Sequence, residues 1–242
     1  MGNPLEQRLQ AYAKLTTSDR EALDRIAGLG NRQIGPRRDL VREGDRPRCV
    51  HVMLDGWACR YKQLPDGRRQ VVALFLPGDL FDPNVFLLQE MDHSIGSITP
   101  VRIAEIGWAS FDALLANSPR IAQALAVNEL VTVAVQREWT VDIGQRNAYE
   151  RLAHLFCELF TRLRVVGLTA DDAFDFPLTQ ADLAEAMGMT TVHVNRTLRQ
   201  LREDGLIEHG GKRLHLLDLD RLRQAAQFNP NYLHLDRHLD DD

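Results

Sequence analysis

The sequence predicts an α+β protein in which an antiparallel β-roll is followed by a long helix and a winged helix-turn-helix. Three observations support this architecture. Short apolar segments alternate with turn signals over residues 33–106, a continuous helical pattern starts at 119, and two short helices flank a glycine turn within 178–207. With 242 residues, of which 44% are hydrophobic, the chain suits one large domain or two modest ones.

The part of the chain before the long helix predicts N-terminal helices and then the roll. Residues 4–28 are helical by pattern, and Ser18 with Glu21 has the spacing of a capping box. The segments 50–57 and 68–81 are apolar, and turn residues bound both of them, so we expect them to be core strands.

The long helix is predicted to begin at Pro119, a residue suited to a first helical turn, and to run to 142. Apolar and small polar residues recur along it at spacings of four and three, as in a coiled-coil seam. This pattern favours dimerisation, although a helix packed on its own roll is the alternative. The proposed seam consists of Ile121, Leu125, Asn128, Thr132, Val135 and Trp139.

A break follows the long helix at Gly144, where we place a hinge over 142–147. Asn147 and Glu150 form a second capping-box pattern, which predicts a helix over 148–164.

The segment 178–207 carries the helix-turn-helix pattern. Thr179 and Asp182 are spaced as a capping box, Gly188 suits the left-handed end of a first helix, and Thr190 suits the N-cap of a second. The inward faces are expected to carry Leu183, Ala184 and Met187 in the first helix and Val194, Leu198 and Leu201 in the second.

The opposite face of the second helix is suited to DNA. Arginine offers paired donors to guanine, asparagine can serve adenine, and a valine or threonine methyl can touch thymine. The outward residues are Thr191, Val192, Asn195, Arg196 and Arg199. An ordinary helix pair with a solvated charged face is the alternative.

Segment 206–217 follows the second helix. We expect it to form two strands about Gly210-Gly211, which make the wing.

Residues Thr179 to Leu198 resemble the helix-turn-helix of the Crp/Fnr family of bacterial transcription regulators. The resemblance implies a homodimer, formed through residues 119–142, that binds double-stranded DNA at a near-palindromic operator. It places the main guanine-reading arginine on Arg196 and other base contacts on Thr191, Val192 and Asn195. Many members carry glutamate where this chain has Val192, which changes the expected base preference. Expected phosphate contacts are Thr190, His193, Arg199, Lys212 and Arg213.

The same resemblance suggests four domains or segments and one further partner. The roll would be a sensor domain like a cyclic nucleotide-binding domain, and the polar connection 166–175 is a positional candidate for contact with RNA polymerase. A partly disordered C-terminal tail is expected. The predicted divisions are the roll with its N-terminal helices at 1–118, the dimerisation helix and hinge at 119–146, the winged helix-turn-helix at 147–227, and the tail at 228–242.

Family members that bind cyclic AMP hold the ribose with a Gly-acidic pair and the phosphate with an Arg-Ser pair. Gly78-Asp79 matches the first pair and Ser94 the serine, but His93 stands where arginine is expected. Histidine is mostly neutral at pH 7 and lacks the paired donors of arginine, so a cyclic nucleotide is possible but disfavoured.

No other cofactor and no metal site is predicted. The three cysteines, Cys49, Cys59 and Cys157, are too few for an iron–sulfur cluster with four cysteine ligands. Nothing singles out His51, His93 or Cys59 as a haem ligand.

Composition and charge narrow the remaining functions. The net charge of −5 argues against indiscriminate nucleic-acid binding. No apolar run is long enough to span a membrane, the N-terminus lacks a signal core, and the scattered cysteines suggest the cytoplasm. We expect a regulator and not an enzyme. Two alternatives remain: a cupin-like metal-binding or catalytic barrel with an accessory interaction domain, and a winged domain that binds protein.

Overall fold

The computed structural model describes residues 2–235 and divides into two compact units. One unit consists mainly of residues 2–62 and 73–132, and the other contains residues 63–72 and 133–233. Among the residues described, no helix is both long and apolar enough to cross a lipid bilayer.

The predicted roll is confirmed as two four-stranded sheets with antiparallel pairing. The strand orders are β1-β8-β3-β6 and β2-β7-β4-β5. Their core contains Met53, Phe75, Phe81, Ile95 and Ile103, all buried, because alternate strand residues face inward. The strands are β1 (Arg32–Ile34), β2 (Asp39–Val41), β3 (Cys49–Asp55), β4 (Ala58–Gln63), β5 (Arg69–Phe75), β6 (Leu80–Phe81), β7 (Ser94–Ser97) and β8 (Val101–Gly107).

The N-terminal helical segment is two helices, α1 (Pro4–Gln10) and α2 (Thr17–Ala27). The predicted capping box of Ser18 and Glu21 is wrong. Thr16 is the N-cap instead, and Asp19 completes the box, its carboxylate accepting from the Thr16 backbone N–H at 2.9 Å. Thr16 and Asp19 have the same three-residue spacing two positions earlier, so the pattern alone did not choose between the two pairs.

A short helix, α3 (Trp108–Asn117), precedes the long helix α4 (Pro119–Gly144). Pro119 begins α4 as predicted, but the predicted coiled-coil seam is wrong. Ile121, Leu125, Asn128, Val135 and Trp139 are buried within the single chain, and Thr132 is partly buried. The face left exposed carries other apolar residues, including Leu130 and Val133.

Helix α5 (Ala148–Val165) begins at the predicted capping box of Asn147 and Glu150. The polar connection expected at 166–175 is in fact a hairpin of β9 (Thr169–Ala170) and β10 (Ala173–Asp175). Its turn residues, Asp171 and Asp172, both have positive φ, a conformation that aspartate tolerates better than most residues.

The rest of the second unit is a winged helix-turn-helix. The wing hairpin joins β9 and β10 in one sheet of order β11-β12-β10-β9. The turn between the wing strands is Gly211-Lys212, both with positive φ, one residue later than predicted. The elements are α6 (Gln180–Met187), α7 (Thr191–Glu203), β11 (Ile207–Gly210), β12 (Arg213–Leu216) and α8 (Leu219–Ala226).

The first part of the C-terminal tail is ordered. A 3-10 helix spans Pro230–Leu233, and the Tyr232 hydroxyl donates to Glu158 Oε2 of α5 at 3.1 Å. The Phe228 ring lies edge-on to His154, with centroids 5.3 Å apart. These aromatic contacts hold the segment against α5. The disorder predicted for part of the tail stays a prediction, because residues 236–242 lie outside the described residues.

Candidate DNA interface and signal site

Helices α6 and α7 meet at the turn that the sequence predicted. The Thr179–Asp182 capping box is present, and Gly188 ends α6 with φ of 62°. The Met189 backbone N–H donates to the Ala184 carbonyl at 3.0 Å. Thr190 caps α7, accepting from the His193 backbone N–H at 3.2 Å. Because both helix ends are capped, the angle between them is fixed locally.

The neighbouring helix α5 and the residues after α7 fix this pair in place. Arg151 of α5 donates to the Met187 carbonyl at the end of α6 at 2.6 Å. Tyr149 of α5 donates to Asp204, the C-cap of α7, at 2.7 Å. Burial and then this carboxylate raise the pKa of Tyr149 to about 12, so its hydroxyl stays protonated at neutral pH.

The two faces of α7 differ as the sequence predicted. The inner residues Val194, Leu198 and Leu201 are buried, whereas Val192 on the outer face is 79% exposed. A valine side chain that is so exposed does not pack in the protein core, so it is available to contact a partner. The other outer residues, Thr191, Asn195, Arg196 and Arg199, are also exposed.

The cations on this surface differ in their partners. The Arg196 side chain makes no hydrogen bond or ion pair with any residue from 2 to 235. Arg199 lies 3.6 Å from Glu203 in an exposed pair, and Arg213 lies 4.0 Å from Asp175. Exposed pairs of this kind are weak, so both guanidinium groups can exchange partners. Lys212 is exposed at the wing turn.

The residues suggested for an effector are engaged within the roll. Arg8 of α1 donates to Asp79 Oδ1 at 2.5 Å, and the Leu76 backbone N–H donates to Asp79 Oδ2 at 2.8 Å. A Cβ at Gly78, whose φ is +92°, would lie 2.5 Å from the Pro4 carbonyl oxygen. The Gly78-Asp79 pair therefore seats α1 on the roll.

His93 and Ser94 also have partners in the chain. Arg60 donates to His93 Nε2 at 3.1 Å and pairs with Asp82, while His93 Nδ1 lies 2.6 Å from Asp92. The hydrogen bond with His93 lowers the pKa of Asp92. Ser94 Oγ accepts from the backbone N–H of Glu43 at 3.0 Å. His93 is thus part of an ion cluster with Arg60 and the two aspartates.

One group of side chains in the roll was not predicted from the sequence. Cys49 and His51 of β3 and Glu105 of β8 present ligand atoms within 4.8 Å of one another. Burial lowers the pKa of His51 and raises that of the Cys49 thiol, so both are neutral at pH 7. The available signal was the Cys-x-His pattern, which places both residues on one strand face.

Cys157 is a core residue. It is fully buried in α5, and this burial raises the pKa of its thiol to about 12. A thiol that remains protonated is a poor nucleophile, so Cys157 has a packing role.

Comparisons with known proteins agree with this architecture. Residues 31–118 match the cyclic nucleotide-binding domain family, and residues 150–225 match the Crp-like helix-turn-helix domain family. The solved structure of FixK2 from Bradyrhizobium japonicum has the same fold, with a TM-score of 0.71 and 22% identity over 81% of this chain and 96% of that one. The fold and the exposed outer face of α7 together define a helix-turn-helix transcription regulator.

Two relatives of similar length show the family to which the chain belongs. The chain is 31% identical over 187 residues to the nitrogen fixation regulation protein FixK of Bradyrhizobium diazoefficiens, which covers 76% of each chain. It is 27% identical over 220 residues to the transcriptional activator protein FnrL of Cereibacter sphaeroides, covering 88% of this chain and 86% of FnrL. The chain belongs to the Crp/Fnr family of transcription regulators.

Proposed function

We propose that this regulator acts as a homodimer that places two copies of α7 in successive major grooves of a near-palindromic operator. The observation that carries the proposal is the outer face of α7, which is exposed and has Arg196 without a partner among residues 2–235. In helix-turn-helix dimers the two recognition helices lie about 34 Å apart, which is one turn of the duplex.

In this proposal Arg196 reads guanine through paired hydrogen bonds, and its neighbours set the adjacent bases. Val192 can make only apolar contact, so a thymine methyl suits it. Asn195 can serve adenine, and Thr191 can contact several bases. Phosphate contacts would come from Thr190, His193, Arg199, Lys212 and Arg213.

The dimer contact is proposed for the exposed face of α4. Leu130 is 66% exposed, Val133 51% and Val141 41%, which is unusual for large apolar side chains in a folded chain. With Ala126 and Arg137, also exposed, they recur at spacings of three and four. That spacing suits a two-helix seam, and pairing would remove the apolar surface from water.

We also propose that the regulator activates transcription in the cytoplasm and has no enzymatic activity of its own. Several relatives are named transcriptional activators. Activation requires a surface for RNA polymerase, and the exposed turn at Asp171-Asp172 is our candidate for it.

The signal sensed in the roll is proposed not to be a cyclic nucleotide. Asp79 is paired with Arg8, and His93 with its neighbouring ions, so a ligand would have to break buried bonds to reach either. A signal would act by favouring one arrangement of the long helices, with the hinge at 142–147 as our candidate for the moving segment.

Genome-wide mapping of binding sites, followed by gel shifts on the recovered sequences, tests the regulator proposal. We expect one two-fold symmetric motif with a guanine in each half-site, and a shift that random duplex does not compete away. A protein that binds every duplex equally would contradict the proposal. Titration calorimetry with cyclic AMP should show no saturable heat, and micromolar binding would overturn the exclusion of cyclic nucleotides.

A further inference from the structure

A mixed cluster of possible metal ligands lies on one face of the sheet that contains β3 and β8. Cys49 and His51 are alternate residues of β3, so their side chains project to the same side. Glu105 is the direct cross-strand partner of His51 in β8. The pairing of two strands that are far apart in the sequence thus brings a thiol, an imidazole and a carboxylate together.

The distances between the ligand atoms are close to those around a single bound ion, although the contact between Cys49 and His51 is also within reach of a hydrogen bond to sulfur. Cys49 Sγ lies 3.5 Å from His51 Nε2, and His51 Nε2 lies 3.6 Å from Glu105 Oε1. The second distance is too long for a good hydrogen bond. Tetrahedral zinc has bonds of about 2.3 Å to sulfur, about 2.0–2.1 Å to nitrogen and about 2.0–2.2 Å to oxygen, which require a sulfur–nitrogen distance of about 3.6 Å and a nitrogen–oxygen distance of about 3.4 Å.

We infer that Cys49, His51 and Glu105 bind one divalent transition-metal ion of the zinc class, with a fourth position that a water molecule can occupy. Thiolate, imidazole and carboxylate are the ligand types that zinc accepts. All three residues line one cavity of about 490 Å³, so there is room for the fourth ligand. The thiol proton is released to solvent when the sulfur–metal bond forms.

One neighbouring cation must move for the ion to bind. Arg32 donates to the same Glu105 Oε1 at 3.0 Å. Its side chain is 53% exposed, so the guanidinium can turn into solvent without leaving a buried charge behind. In the metal-free protein Arg32 therefore balances the carboxylate charge that the metal ion would balance when bound.

The test uses full-length protein that has been stripped with a chelator and titrated with Co²⁺, without DNA. It is therefore independent of the DNA-binding proposal. We expect about one Co²⁺ per chain by elemental analysis, with a thiolate charge-transfer band and the strong visible bands of tetrahedral cobalt. Zn²⁺ should displace the cobalt and abolish these bands. A protein that takes up no Co²⁺ in moderate excess would overturn the inference.

Matched variants assign the ligands. Cys49→Ala should abolish the charge-transfer band, whereas Cys59→Ala, which removes a buried cysteine of β4 outside the cluster, should retain it. His51→Gln and Glu105→Gln should each weaken Co²⁺ binding by roughly tenfold or more, a loss at least as large as that from removing an outer-shell partner. Retention of the band in Cys49→Ala would overturn the assignment.

A further variant separates a metal site from a structural ion pair and does not depend on removing a ligand. Arg32→Ala removes the cation that competes for Glu105, so Co²⁺ should bind as tightly as in the wild type or more tightly. Metal addition should raise the melting temperature of this variant by at least as much as that of the wild type. Weaker Co²⁺ binding by Arg32→Ala would mean that Arg32 does not compete with the ion for Glu105 and would contradict the inference.

Discussion

At the scale of single residues, Arg196 combines exposure, charge and lack of an internal partner at the centre of the outer face of α7. We predict that Arg196→Ala costs about 1–3 kcal/mol of binding free energy on the operator and less on random duplex, because a guanine contact is lost only where guanine is present. Fluorescence anisotropy on both duplexes measures the difference.

Arg199→Ala is the matched control, because it removes an arginine from the same helix that we assign to phosphate. The binding free energy that Arg199→Ala loses should be nearly equal on the operator and on random duplex. If Arg196→Ala also weakened binding to the operator and to random duplex equally, Arg196 would be a phosphate contact and the proposal that it reads guanine would be wrong.

Single residues also show which features of the sites were predictable from the sequence. The helix-turn-helix residues were predictable because caps, a left-handed glycine and a helical repeat act over four residues or fewer. The partners of Asp79 and Glu105 were not, because Arg8 lies 71 positions from Asp79 and strand register sets the neighbours of Glu105. Local pattern carries no information about such pairs.

At the scale of elements, the seating of α1 on the roll depends on Gly78. Gly78→Ala should destabilise the protein by roughly 1–3 kcal/mol more than Gly67→Ala, because the added Cβ meets the Pro4 carbonyl oxygen. Gly67 is the control: its φ of +88° is close to the +92° of Gly78, but its Cβ would meet nothing within 4 Å. Urea unfolding measures the free energy of unfolding of both variants. Equal losses of stability would mean that backbone strain alone, and not the contact with Pro4, causes the destabilisation.

The exposed face of α4 supports a second element-scale prediction. Leu130→Glu should convert the dimer to a monomer, because it places a charge in the proposed apolar seam. Leu87→Glu should not, although Leu87, at 79% exposed, is even more accessible. Sedimentation velocity distinguishes the two outcomes. A Leu130→Glu dimer as stable as the wild type would exclude this face.

Helix α4 explains why an element can be predicted while its orientation is not. Its length and first residue followed from a helical pattern that begins at Pro119. Apolar residues lie on more than one side of it, however, and periodicity alone could not say which side the chain itself covers. The predicted stripe through Leu125 is buried, and the stripe through Leu130 is exposed.

At the scale of the whole molecule, a net charge of −5 coexists with a locally basic surface on α7 and the wing. If Arg199, Lys212 and Arg213 of both subunits neutralise phosphates, the logarithm of the operator affinity should fall with the logarithm of salt concentration with a slope of about −5. Lys212→Ala should reduce this slope to about −4.

Lys62→Ala is the control for the salt experiment. Lys62 lies in the roll and pairs with Glu43 at 2.6 Å, so its loss should leave the slope unchanged. A slope near zero for the wild type would mean that the wing and α7 do not contact the DNA backbone.

The most direct test of the central proposal is the stoichiometry of the complex with a mapped operator, measured by native mass spectrometry or multi-angle light scattering. We predict two chains on one duplex that contains both half-sites, with a sharp loss of affinity when the half-site spacing changes by half a helical turn. One chain per duplex, or an affinity independent of that spacing, would contradict the account.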